Sequence, residues 1–310
     1  MIRKLVHAIS VGTGVALTAA PVGVSAQAAP PLDSLRLLAD LAVLAHDSME
    51  GRAVGTLGNL RARHFLERSL EEARVEPAGG RYGHAFTWPG GTGENIVGVV
   101  AGRDPNGDVI VITAHYDHLG VRDGAIFNGA DDNASGSVAL LEIARRLVQT
   151  PLEHTVVFAL LDAEEVGSWG ARAFLERPPV PRDRIALNVN LDMVSRTGGV
   201  LWAAGAHHTR SLRPLLEAAA AVAPVELRLG HDRAGAPEGD DWTDASDHSA
   251  FHEAGIPFVY FGVEDHPDYH RPSDDFRRVV PSEFVASVRT ILIALRALDA
   301  SLPLTSTETR

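Results

Sequence analysis

Hydrophobic residues recur at two different spacings along the chain, and the change of spacing predicts its elements. Leucines at helical spacing in residues 32–46 and the pattern LRARHFLERSLEEARV at 60–75 predict two helices, the first capped by Asp33 or Ser34. From residue 95, short apolar runs alternate with helical patterns. We predict strands in NIVGVVAG, DVIVITAH, TVVFALLD, IALNVNLDMV and IPFVYFG, and helices in SGSVALLEIARRLVQ, WGARAFLER, LRPLLEAAAAVA, SAFHEAG and PSEFVASVRTILIALRALD.

Buried strands that alternate with helices predict an α/β fold, with a largely parallel mixed central sheet flanked by helices on both faces. The motif DPNGD at 104–108 predicts a hairpin turn between the first two strands. Residues 79–94 are rich in glycine, proline and aromatic residues, which predicts an irregular surface segment. We therefore divide the chain into an N-terminal helical segment (29–94) packed on the core, an α/β core (95–301) and a tail (302–310).

The first residues have the pattern of a secretory signal peptide. Arg3 and Lys4 precede a mostly apolar stretch at 5–20, and Ala26-Gln27-Ala28 offers a cleavage site, so residues 1–28 are predicted to be removed. The alternative is an uncleaved membrane anchor, which the shortness of the run and its two glycines disfavour. The sequence therefore predicts a secreted or periplasmic protein.

Composition narrows the chemistry. A formal net charge of -12 disfavours nucleic acid and anionic membranes as partners. The sequence has no cysteine, which excludes disulfides, thiolate ligands and a cysteine nucleophile. Lys4 is the only lysine and lies in the predicted signal, so Schiff-base chemistry and a P-loop are excluded from the mature chain. Catalysis must therefore use other side chains, such as His, Asp and Glu.

Imidazoles and carboxylates follow the predicted strands where each strand ends. They occur in HYDHLG at 115–120, GADDNASG at 129–136, DAEEVG at 162–167, LDM at 191–193 and DYHRPSDD at 268–275. Each motif alone has an ordinary explanation; Asp131 or Asp132, for example, could simply cap the following helix. Because ligands bind outside the carboxyl ends of parallel strands, five such ends together predict one site.

The mixture of imidazole and carboxylate favours zinc, with manganese or cobalt as possible substitutes. Two neighbouring cations need a shared carboxylate and about two further ligands each. The five predicted ligands are His115, Asp131, Glu165, Asp192 and His270. Asp117 lies two residues from His115 and could orient its imidazole.

These motifs, in this order, resemble the M28 family of zinc-dependent aminopeptidases, of the secreted bacterial type with two zinc ions. The resemblance covers residues 95–301, and LAHDSMEGRAVGTLGN at 44–59 is similar to the family's N-terminal segment. It implies a zinc-exopeptidase fold of the phosphorylase/hydrolase-like kind, two Zn²⁺ ions per chain and peptide or protein N-termini as substrate. We expect a monomer.

The resemblance also implies the role of each residue. Asp131 would be shared by both zinc ions, His115 and Asp192 would complete one site, and Glu165 and His270 the other. A cis peptide bond is expected between Asp131 and Asp132.

Three residues would act on the substrate or support the ligands. Glu164 would be the general base, Asp117 would orient His115, and Tyr269 would stabilise the oxyanion. The alternative for Tyr269 is ordinary packing.

Other functions stay open on the sequence. A glutaminyl-cyclase-like enzyme, acting on N-terminal glutamine, shares the fold and most ligand positions. A non-catalytic binding domain of the same family is a second alternative, although every ligand position is filled. A serine hydrolase using Ser135 or Ser246 with His248 is a third, disfavoured by the absence of a nucleophile elbow.

Overall fold

The computed structural model describes residues 32–233 and 240–304. The predicted signal peptide (1–28) lies outside the described residues, as does most of the predicted tail. In the described part, seven α-helices are present: α1 (Ser34–Leu44), α2 (Leu57–Glu72), α3 (Gly136–Gln149), α4 (Trp169–Glu176), α5 (Leu212–Ala220), α6 (His248–Glu253) and α7 (Pro281–Asp299).

Eleven strands accompany these helices within the described residues: β1 (Glu76–Pro77), β2 (Gly83–Trp88), β3 (Gly91–Val100), β4 (Asp104–His115), β5 (Gly120–Arg122), β6 (Ala125–Phe127), β7 (His154–Leu161), β8 (Ile185–Leu191), β9 (Val200–Ala204), β10 (Glu226–Leu229) and β11 (Phe258–Gly262). Nine of them form one sheet in the order β1-β3-β7-β4-β8-β11-β9-β10, with β2 paired to β3. Strands β5 and β6 form a separate hairpin.

The four central strands of the sheet, β7, β4, β8 and β11, run parallel to one another. Strands β1, β2 and β3 add antiparallel pairs on one side, and β9 joins β11 antiparallel on the other. The predicted mixed sheet is therefore confirmed. Its parallel centre fixes where a site can form, because all four central strands end at the same edge.

Alternating side chains of the central strands divide the core into two layers. On β4, Ile110 and Ile112 contact the layer that contains α1, α2, α3, α5 and α7, whereas Val109 and Val111 contact the layer of α4 and α6. Both faces are apolar because helices cover both, which explains why these strands read as continuous hydrophobic runs. The predicted helices on both faces are confirmed.

The predicted hairpin between β3 and β4 is wrong. Strand β7 lies between them, antiparallel to β3 and parallel to β4. The run TVVFALL of β7 is buried on both faces, so the backbone N–H and C=O groups along both of its edges need hydrogen-bond partners. Strands β3 and β4 supply them. The residues DPNGD do not form the turn; they belong to the start of β4.

The predicted irregular segment at 79–94 is also wrong, since it contains β2 and the start of β3, which form an antiparallel hairpin. The predicted domain boundary after residue 94 consequently falls inside β3. Helices α1 and α2 pack into the same core as α3 and α7, through residues such as Leu41 and Leu66. Among the described residues, no helix has the length and apolar character needed to cross a membrane.

Candidate metal centre and active site

The carboxyl ends of the four central strands bring the predicted residues to one edge of the sheet. His115 is the last residue of β4, and Asp192 directly follows β8. Glu164 and Glu165 follow β7 after a short turn, and His270 lies in the loop after β11. Adjacent parallel strands therefore concentrate imidazoles and carboxylates from distant parts of the sequence in one place.

One group of candidate metal ligands consists of His115, Asp132 and Asp192, all buried. The Nε2 atom of His115 lies 3.3 Å from Oδ1 of Asp192 and 3.4 Å from Oδ1 of Asp132. Strand β8 departs from the apolar pattern of the central strands, because Asn188 and Asn190 occupy alternate, buried positions before Asp192, on the face that ends at the site. Thr113 donates a hydrogen bond to Asn190 beneath the site, at 2.7 Å.

A second candidate group consists of His118, Asp132 and Glu165. The Nδ1 atom of His118 lies 2.6 Å from Oε1 of Glu165, whereas Nε2 of His270 lies 3.4 Å from Oε2 of Glu165. His270 Nε2 also lies 3.0 Å from Oδ2 of Asp132. Two imidazoles thus flank the same carboxylate pair, His118 from the buried side and His270 from the pocket.

The structure brings Asp132, rather than Asp131, to the shared position between the two groups. Oδ1 of Asp132 faces His115, and Oδ2 faces His270. The carboxylate of Asp131 lies elsewhere and accepts hydrogen bonds from the backbone N–H and the hydroxyl of Ser195, both at 2.7 Å. The expectation that Asp131 is the shared ligand is therefore wrong: consecutive side chains of the turn at Ala130–Ser135 point to different partners.

The expected position of the cis peptide bond is also wrong by one residue. The bond between Asp132 and Asn133 is cis, whereas the bond between Asp131 and Asp132 is not among the cis bonds of the described residues. The backbone before Asn133 is held by Asp274, whose carboxylate accepts hydrogen bonds at 3.1 Å from the N–H groups of Asp131 and Asp132.

Asp117 links His115 to the two glutamates. The Nδ1 atom of His115 lies 3.2 Å from the carbonyl oxygen of Asp117 and 3.7 Å from its carboxylate. The same carboxylate accepts hydrogen bonds from the backbone N–H groups of Glu164, at 3.1 Å, and Glu165, at 3.4 Å. Asp117 is therefore placed to orient both the imidazole and the turn that carries the glutamates.

Glu164 lines the pocket but belongs to neither ligand group. Burial raises the pKa of its carboxyl group well above the ordinary value, against the opposing effect of His115, and Asp247 raises it further. A carboxylate beside the ligands and outside their contacts is available to exchange protons with a substrate or a water molecule.

The electrostatics of the cluster fit divalent cations. Burial raises the pKa of Asp132 above its ordinary value and that of Glu165 to about 7. Burial alone would lower the pKa of His115, but Asp192 and Glu164 outweigh it, and the pKa lies well above the ordinary value. Without a metal, the cluster therefore keeps protons on its carboxyl groups and on the ring of His115. A bound cation would neutralise the carboxylates in their place. Imidazole and carboxylate are suitable donors for zinc, which would replace those protons.

The pocket beside this cluster has a volume of about 290 Å³. Besides the ligands and Glu164, its walls include Met193, Trp242, Ala245, Tyr260, Val263, Asp265 and Tyr269. The ring of Tyr269 stacks on that of His270, with ring centres 3.9 Å apart. Carboxyl groups line this pocket, and no lysine or arginine lines it among the described residues.

The sequence assigned no ligand or catalytic role to four residues of the site environment: His118, Asp132, Arg52 and Asp247. His118 and Asp132 stood inside the quoted motifs without a ligand role, and only their side-chain directions distinguish them. Arg52 is fully buried and donates to four backbone carbonyl groups around the site. The carboxylate of Asp247 is buried without a hydrogen-bond partner among the described residues, and burial raises its pKa to about 8.

The serine-hydrolase alternative lacks the necessary contacts. Ser246 accepts a hydrogen bond from Asn190, and Ser135 donates to the carbonyl oxygen of Asp131. Nε2 of His248 lies 2.8 Å from the carbonyl oxygen of Trp242. Neither serine is hydrogen-bonded to His248 in the described part of the chain, so no nucleophile–base pair is formed there.

Comparison with known proteins gives a family and a fold. The model of peptidase family M28 matches residues 95–295. Aminopeptidase YwaD of Bacillus subtilis is 29% identical over 201 residues, which are 61% of this chain and 41% of that protein. The chain spans about half the length of the curated relatives it matches.

Solved structures with the same fold include a zinc aminopeptidase, BSAP of Bacillus subtilis. Its TM-score is 0.68 at 17% identity, and the match covers 86% of this chain and 94% of that one. A glutaminyl cyclase of Bacteroides thetaiotaomicron has a TM-score of 0.67 at 20% identity, covering 86% and 99% of the two chains. At these identities the likeness establishes the fold alone, and both chemistries occur on it.

Proposed function

Since this chain belongs to peptidase family M28, we propose that it is a metal-dependent aminopeptidase, which hydrolyses the peptide bond after the first residue of its substrate. The observation that carries the proposal is the position of Glu164, a carboxylate in the pocket beside two groups of candidate ligands but part of neither. Metal-assisted hydrolysis requires a base that lies beside the metal centre and is free to exchange protons.

Two zinc ions would be held by five side chains, with Asp132 as the shared carboxylate. His115 and Asp192 would complete one site, and Glu165 and His270 the other. The contacts of His115 with Asp132 and Asp192, and of His270 with Asp132 and Glu165, support this set. His118 would orient Glu165 through its short contact with Oε1.

When bound, such a metal pair supplies Lewis-acid polarisation of the scissile carbonyl and a water molecule of lowered pKa. Glu164 would accept the proton of the attacking water and return it to the departing amine. Burial raises the pKa of Glu164, which favours the second transfer, because the protonated carboxyl group is the proton donor to the amine. Asp117 would hold Glu164 in place through its backbone N–H.

The substrate's ends would be recognised by charge and by the pocket walls. An α-ammonium group is attracted to a pocket lined by carboxylates and lacking lysine and arginine among the described residues, which favours exopeptidase action. The hydroxyl of Tyr269, a pocket residue, would donate to the oxyanion.

The test combines a metal count with turnover. Purified protein should contain two zinc ions by elemental analysis and should cleave aminoacyl-arylamides, with loss of activity in chelator. Glu164→Gln should keep the metal and lower kcat by about 10²–10⁴-fold. Glu217→Gln, on the exposed surface of α5, is the matched control and should keep full activity.

Three results would contradict the proposal. Full activity of Glu164→Gln would refute the base. Conversion of glutaminyl peptides to pyroglutamyl products would favour the cyclase, whereas metal binding with no turnover of either kind would favour a binding domain.

We also propose that residues 1–28 direct export and are then removed. The basic start, the apolar stretch and the Ala-Gln-Ala site support this. N-terminal sequencing of the protein recovered outside the cytoplasm should begin near residue 29; an intact residue 1 would contradict it.

A further inference from the structure

The turn that carries Asp132 is attached to two other ligand-bearing segments through its neighbour, Asp131. The Asp131 side chain is fully buried. Its Oδ1 accepts hydrogen bonds from the N–H and the hydroxyl of Ser195, three residues after Asp192. Its Oδ2 lies 3.2 Å from Nε2 of His266, four residues before His270. One carboxylate therefore contacts the segments of two further ligands.

A second set of contacts ties the same segments together. The hydroxyl of Ser135 donates to the carbonyl oxygen of Asp131, at 2.7 Å, and accepts from the N–H of Val194, at 2.9 Å. The turn and the segment after β8 are thus joined by both the side chain and the backbone of Asp131.

The contact of His266 with Arg196 indicates which nitrogen of the His266 ring carries the proton. Nη1 of Arg196 lies 3.1 Å from Nδ1 of His266 and 2.8 Å from Oδ2 of Asp268. Because a guanidinium group only donates, Nδ1 of His266 must accept, and the ring proton resides on Nε2, where it donates to Asp131. The row Asp268, Arg196, His266 and Asp131 has a donor facing an acceptor at every contact.

We infer that Asp131 is a positioning residue of the metal centre, which fixes the Asp132 turn against the segments of Asp192 and His270. This inference rests on the metal site proposed above, and it gives Asp131 a role other than that of a ligand. Partners that orient ligands without touching metal typically change metal affinity by about 10–100-fold when removed.

The experiment measures zinc affinity by chelator competition, together with thermal unfolding. Asp131→Asn keeps the shape of the side chain but opposes an amide N–H₂ to the Nε2–H of His266, so zinc should dissociate at least about tenfold more readily. Asp299→Asn is the matched control. Asp299 is also buried and also accepts from a histidine, His154 Nδ1 at 3.0 Å, but at the start of β7, the opposite end of the strand from the site.

The control separates positioning from general destabilisation. Asp299→Asn should lower the melting temperature and leave zinc affinity within about twofold of the parent protein. A loss of affinity in Asp299→Asn as large as in Asp131→Asn would overturn the inference, as would unchanged affinity in Asp131→Asn.

A milder pair of variants keeps the test decisive if Asp131→Asn fails to fold. His266→Ala removes one donor and should weaken zinc binding, whereas His266→Gln retains a donor for Asp131 and should restore most of it. Parent-like affinity in both would overturn the positioning role. A parent protein that binds no zinc would instead refute the proposed metal site, and with it this inference.

Discussion

Arg52→Met is expected to lower the free energy of unfolding by about 3–5 kcal/mol, because it leaves several buried carbonyl groups without a hydrogen-bond donor. Arg52 is fully buried and donates to the carbonyl oxygens of Leu44, Tyr116, Asn128 and Gly129, at 2.6 to 2.9 Å. A bond to a charged group contributes about 1.5–3 kcal/mol. Three carbonyl groups would remain unpaired, because that of Gly129 also accepts from the N–H of Ala134. Burial lowers the pKa of the guanidinium group to about 10, because removing its charge from water is unfavourable. Arg52→Met avoids that desolvation cost, which offsets part of the loss.

The assay is urea unfolding at pH 7, followed by circular dichroism with and without zinc. Arg52→Lys should lie between the parent and Arg52→Met, because an ammonium group has three donors and cannot reproduce the planar fork. Arg61→Met is the control: Arg61 is half exposed and pairs with Glu50 at the surface, so its loss should cost less than about 1 kcal/mol. A change below about 1 kcal/mol in Arg52→Met would refute the reasoning.

Three further predictions concern the site. In metal-free protein, burial raises the pKa of Glu165 to about 7 and of Asp247 to about 8, so the folded state binds more protons than the unfolded state above pH ~4. The free energy of unfolding should therefore fall as pH rises from 5.5 to 8, by more than about 1.4 kcal/mol, and saturating zinc should flatten the curve; a rise in apo stability would contradict this. Tyr269→Phe should lower kcat about 10²-fold with little change in KM if the hydroxyl meets the oxyanion, whereas unchanged kcat would leave only ring packing on His270. Trp242→Ala removes a pocket wall and should change the relative kcat/KM for small and large N-terminal residues; a constant ratio would exclude Trp242 from substrate selection.

Much of the fold followed from periodicity, because long amphipathic helices and fully apolar strands have strong patterns. Helix α7, for example, has the predicted bounds. Pairing partners were harder to predict, since the insertion of β7 between β3 and β4 depends on contacts about 60 residues apart. Strands β9 and β10, at one side of the sheet, are only five and four residues long, too short for a distinct pattern.

The site was predictable at the level of strand ends but not of single side chains. His115, Glu165, Asp192 and His270 are all brought together, because parallel strands end at one edge. The choice between Asp131 and Asp132 depends on the backbone of a turn, and sequence spacing carries no information on which carboxylate faces inward. Arg52 escaped notice because its partners are backbone carbonyls, which leave no trace in the sequence.

The parallel order of the central strands also determines when the chain can first hold metal. The candidate ligands extend from His115 to His270, and the loop of His270 is placed only after β11 has paired with β8. A nascent chain that has emerged only through β8 has the early ligands but no completed centre. Metal would therefore bind the folded chain in preference to partly folded states, and its binding would shift the equilibrium toward the folded state. In this chain, acquisition of metal would mark the end of folding.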